Sequence, residues 1–218
     1  MKASQINKES IFNHLHNFTI SPNFKANLGK TWYLDKKEDI LNNAILSLPL
    51  KGLISLNVYL AVVSILSPAN KWDSNLWDAH FLTHRFFGIS TNKEYKYCTY
   101  GSNVQKAELL LKRVYLLNWS EKQAIETALL VKTSLKTWNF YNNLKDSFNN
   151  EFLTIDRHVL TIIGIESNQI TPANYLAIKE IIVEYFYNEG LEKEYSLASF
   201  QAVLWCNHLF NRNKPNGL

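Results

Sequence analysis

The chain has 218 residues, 46% of them hydrophobic, enough for a sizeable core in one domain or in two small lobes sharing a cleft. Its formal charge of +4 is compatible with a polyanionic partner without demanding one. Two cysteines, Cys98 and Cys206, with no CxxC pair, exclude a zinc site built on cysteines and a four-cysteine iron–sulfur cluster.

Gly and Pro number 7 and 5, too few for an all-β protein with many tight turns, and helical periodicity dominates. The expectation is an all-α chain of about nine or ten helices over 1–218, forming one domain. A first helix runs from Asp35 or Lys36 to Leu48, with Ile40, Leu41, Ala44, Ile45 and Leu48 on one face. Residues 53–66 are apolar almost all round, which predicts a central buried helix ended by Pro68. Asp73 is placed to cap the next helix, which runs to about Phe87 and puts Leu76, Trp77, His80, Phe81 and His84 on one face. Ser102 begins another, carrying Ala107, Leu110, Leu111, Val114 and Tyr115. Ser120 with Gln123 forms a capping-box pattern ahead of a helix to about Val131. After a very short break, Leu135 to Leu144 reads as a helix. Thr154 or Asp156 starts the next. Thr171-Pro172 opens a helix with Tyr175, Ile178, Ile182 and Tyr185 inward, since Pro suits a first helical turn. Ser196 caps the last, with Phe200, Val203, Leu204 and Leu209. The N-terminal stretch MKASQINKESIFNHL lacks the apolar region of a signal peptide, and LAVVSIL (60–66) is too short to span a bilayer. The expected setting is reducing cytosol, with no membrane partner.

Four segments carry chemistry in a fixed order: LSPAN (66–70), NVQKAELLL (103–111), Lys136-Thr137-Trp138-Asn139 after a tight turn, and Ile155-Asp156-Arg157-His158-Val159. Together they resemble the helix-hairpin-helix (HhH-GPD) DNA glycosylase superfamily over roughly residues 55–165. The patterns SPxxxW, KxxNFYxNL, TIDRH and a late QAxxW (201–205) are similar to a phage-associated branch of it. One departure stands out. The family's glycine-bearing hairpin is replaced by Thr133-Ser134-Leu135, shorter and without glycine, which weakens the expected backbone anchor for a DNA phosphate.

The resemblance implies a DNA glycosylase without a cofactor, acting as a monomer on DNA. N-glycosidic cleavage develops positive charge on the sugar, which a carboxylate stabilises, and Asp156 at a helix start suits that role. The plainer reading is that Asp156 only caps its helix. Lys136, 20 residues earlier, is the candidate Schiff-base nucleophile, against a phosphate contact or a solvated lysine. Asn70, Lys71 and Trp72 in the early turn, with Lys106, Lys132, Thr137 and Arg157, are the candidate DNA contacts. Trp77, Trp138 and Tyr141 are candidates for a flipped-base pocket, although helical aromatics are more often core. His158 is expected to pack internally. His80 and His84 have metal-ligand spacing on a helix, but the run HFLTH has no HExxH and no third ligand, so no metal is expected. Two other functions fit the same residues: a glycosylase-like enzyme of base hypermodification, and a DNA-binding module that has lost its chemistry.

Overall fold

A computed structural model describes residues 6–42, 50, 52–89, 94–130, 135–166 and 170–213. The described residues are all-α: α1 (Lys8–Thr19), α2 (Trp32–Ile40), α3 (Leu56–Leu66), α4 (Trp72–Phe86), α5 (Gly101–Tyr115), α6 (Glu121–Leu129), α7 (Leu135–Lys145), α8 (Arg157–Ile162), α9 (Pro172–Asn188) and α10 (Leu197–Arg212), with a 3-10 turn at Leu191–Lys193. None of these helices is long and apolar enough to cross a membrane. The chain folds as two units. One is Met1–Leu34 with Asp146–Leu218, and the other is Asp35–Lys145.

The second unit is built around α3. Nine consecutive residues of α3, Val58 to Leu66, are buried, because α4, α5, α6 and α7 all pack on it. Each fully buried Leu, Val or Ile contributes about 1.5–3 kcal/mol. Ser64 in that run returns its hydroxyl to Leu60 O at 2.8 Å, whereas the buried Tyr59 hydroxyl has no hydrogen-bond partner among the described residues. Ser55 caps the helix by accepting from the Val58 N–H.

In the first unit α1 packs on α8 and α9, and α8 packs on α10. The QAxxW pattern is structural here. Gln201 Oε1 accepts from the Tyr33 hydroxyl at 2.6 Å, and Trp205 meets Trp32 edge-on at 4.9 Å between ring centroids. Asn207, two residues on, takes both the N–H and the carbonyl of Lys25. Gly29, at φ +84°, lies where a Cβ would sit 2.4 Å from Cys206 Sγ. These contacts hold residues 25–33 against α10.

The capping expectations for Ser120 and Ser196 hold, as does the helix start at Thr171-Pro172, each of the three side chains accepting from the backbone N–H three residues on. Others are corrected. α1, which the periodicity did not reveal, buries only Ile11 and Leu15 and so shows little apolar pattern. α2 begins at Trp32, three or four residues before the expected start, and the expected continuation over 43–48 lies outside the described residues. Asp73 is not a cap. Lys71 holds that position without a side-chain bond, and Asp73 sits in the first turn. The inward face of α4 is also rotated: Asn75, Asp78, Ala79, Leu82, Thr83 and His84 are buried, and Trp77 is 59% exposed. Asn75 is tied to α3 there, its Nδ2 donating to Val63 O at 3.1 Å.

Candidate functional site

Residues 152–156 lead into α8 as irregular backbone, with Leu153, Thr154 and Ile155 buried. Buried backbone must be paired. The Tyr175 hydroxyl on α9 does this twice, donating to Leu153 O at 2.8 Å and accepting from the Ile155 N–H at 3.0 Å. The clamp fixes the chain one residue before Asp156. Tyr175→Phe strands both backbone groups and is expected to cost roughly 2 kcal/mol, read as a shift in the urea unfolding midpoint.

Asp156 is the N-cap of α8, in extended conformation. Its Oδ1 accepts from the N–H of His158 at 2.9 Å and of Val159 at 3.0 Å. The side chain is half-buried, and Oδ2 makes neither of these bonds. The aspartate therefore has the geometry of a cap whatever else it does.

The next two residues open onto a hollow of about 770 Å³, walled by Arg157 and His158 from α8, Glu166 just beyond it, and His208 and Arg212 from α10. The rings of His158 and His208 lie 5.3 Å apart between centroids. Burial holds both imidazoles below the ordinary histidine value. For His158 the charge of Asp156 opposes that shift, while Arg157, His208 and Arg212 add to it. For His208, Arg212 adds and Asp156 opposes. At neutral pH each ring is thus neutral, offering one donor and one acceptor. Gly164, at φ +73°, closes the far end of α8. A Cβ there would lie 2.5 Å from His14 Nε2, so a glycine lets His14 of α1 seat against the backbone.

Of the site candidates, Arg157 lines this hollow and Asp156 precedes it as the N-cap of α8, both in the first unit. The other described site candidates belong to the second unit. Asn70 does not offer its amide outward, since Nδ2 donates to Asp78 Oδ2 at 2.8 Å. Lys71 is exposed. Trp72 is half-buried, with Lys36 Nζ 5.6 Å from its ring centroid. Trp77 stands on the exposed side of α4, in ring contact with His80 and Phe81 of its own helix. His80 and His84 have ring centroids 3.8 Å apart, and among the described residues no three His, Cys, Asp or Glu side chains are grouped to hold a metal ion.

Lys136 is half-buried in the first turn of α7, next to the buried Thr137. Trp138 is half-buried, and Tyr141 is 4% exposed, its hydroxyl pushed up to about 12 by burial. The two rings are 5.9 Å apart along the same helix. Lys106, on α5, has its amine held below the ordinary lysine value by burial. Lys132 and the turn residues Thr133 and Ser134 lie outside the described residues.

Sequence reasoning did not place His208, Arg212 or Glu166 at a site, and His158 is buried, as expected of a residue that packs internally. The one available signal is the i, i+4 spacing of His208 and Arg212, one turn beyond Trp205. No protein-family model, curated protein or solved structure matches the chain.

Proposed function

We propose that the protein is a DNA N-glycosylase that releases a damaged or modified base, with Asp156 stabilising the positive charge that develops on the sugar. The observation that carries this reading is the setting of Asp156. One carboxylate oxygen is held by two backbone N–H groups and the preceding backbone is clamped by Tyr175, so the other oxygen is fixed in direction without being consumed by the cap. A preorganised carboxylate of that kind does not have to reorient as charge develops, which is the source of most electrostatic catalysis. The order of the four sequence segments supplies the reaction class.

Water is the acceptor of the sugar in this proposal: the N-glycosidic bond breaks, the base leaves with the electron pair, a water oxygen bonds to the anomeric carbon, and the proton that this water loses ends on the departed base. The test is incubation with genomic DNAs carrying ordinary and modified bases, followed by measurement of free base and abasic sites. Release from at least one DNA is expected, and absence of release from every DNA by folded protein overturns the proposal. Lys136 is tested in the same assay by borohydride. The water mechanism predicts no covalent protein–DNA adduct, and an adduct lost in Lys136→Ala would replace it with a Schiff-base mechanism.

A further inference from the structure

We propose that the hollow walled by Arg157, His158, His208 and Arg212 is a binding site for a phosphate group. The chain has four arginines. Arg85 pairs with Glu108, and Arg113 lies 4.9 Å from the Trp119 ring centroid. Arg157 and Arg212 form no salt bridge among the described residues, and both stand on this one hollow, where a tetrahedral oxyanion can take paired N–H donors from each guanidinium. The two imidazoles, 5.3 Å apart, add donors at the wall between them. Packing holds this arrangement, since α8 rests on α10 and α1.

The charges facing the site give it a further property. Glu166 is the acidic group on its wall, the charge of Asp156 acts on both imidazoles from the start of α8, and His14 of α1 adjoins at Gly164. The wall carries two guanidinium charges and one carboxylate, with Asp156 as a second negative charge beside it, so with His158 and His208 neutral little net charge is left. Protonation of the imidazoles makes the hollow positive. An anion in the hollow favours their charged forms, so binding takes up protons. The sign follows: the bound state raises the two histidines from their depressed free values. The added affinity is therefore complete at pH below the free-state values and is lost as pH rises through the bound-state values.

Sulfate is the probe, because it keeps its charge across this range while phosphate does not. In a titration of the full chain followed by histidine side-chain NMR, His158 and His208 should shift saturably. Binding should be about tenfold or more tighter near pH 5.5 than near pH 7.5. Arg157→Gln and Arg212→Gln alter exposed side chains and should each weaken binding about tenfold, with the helical spectrum unchanged. Non-saturating shifts, equal affinity at the two pH values, or shifts that survive in the double variant overturn the site.

Competition identifies the source of the phosphate. A thymidine octanucleotide that displaces sulfate better than thymidine monophosphate marks a strand phosphate, and the reverse ranking marks a free nucleotide. Both support the site, and displacement by neither overturns it. Base release and anion binding are read separately. Sulfate binding without base release from any DNA removes only the glycosylase proposal, and base release without saturable anion binding removes only this one.

Discussion

Asp156→Asn is expected to lower base release by about a hundredfold or more while leaving the fold intact. The two parts of that result come from different atoms. Capping needs an oxygen that accepts from the His158 and Val159 N–H groups, and Asn supplies one as well as Asp does. Charge stabilisation needs a negative carboxylate, and Asn has none. Asp156→Ala removes both, and should add a loss of about 1 kcal/mol in stability from the vacated cap. If Asp156 only caps α8, the order reverses: Asn leaves base release and the urea midpoint unchanged, and Ala acts through stability alone. Measuring base release and the urea midpoint for both variants therefore separates a catalytic aspartate from a capping one. The asparagine variant also lacks the charge that favours protonation of His158 and His208. Both histidines should titrate lower in it whatever the role of Asp156, which checks the charge at this position separately from the cap.

Much of the architecture was legible in the residues, and the reasons are local. The unbroken apolar run of α3 has one stable solution, a helix enclosed by others. Ser120, Thr171-Pro172 and Ser196 announce helix starts because their side chains meet backbone N–H groups within three residues. Asp156 was legible as a cap for the same reason. What failed was tertiary. α4 turns Asn75 and Asp78 inward because their partners, Val63 O and the backbone of Cys98 and Thr99, come from other segments. A hydropathy stripe therefore selects Trp77 and Phe81, the wrong side. His208 and Arg212 reach Arg157 and His158 from a helix about fifty residues further along. No periodicity within either segment reports that meeting.

Asp78→Ala is expected to be the most destabilising single substitution in the second unit's polar framework, at roughly 3 kcal/mol, read from the urea midpoint. The side chain is fully buried on α4, and its carboxylate collects four donors: Asn70 Nδ2 at 2.8 Å, the Tyr95 hydroxyl at 2.8 Å, and the N–H groups of Cys98 and Thr99 at 3.1 Å. Burial, then the bond to Asp78, push the Tyr95 hydroxyl up, so it remains a donor. One carboxylate thus joins the turn after α3, the segment before α5 and α4 itself. Alanine leaves all four donors without their acceptor, and the half-buried ones recover part of the loss by binding water. Asp78→Asn keeps one acceptor oxygen but turns an amide N–H₂ toward donors, so it should fall between alanine and the unaltered chain. Tyr95→Phe removes one donor together with its bond and leaves the other three intact, so its cost should be nearer 1 kcal/mol. The ranking alanine, asparagine, then Tyr95→Phe is the signature of a shared acceptor. Equal losses for all three would mean that packing of the Tyr95 ring on Phe81, 3.9 Å between centroids, holds the segment instead.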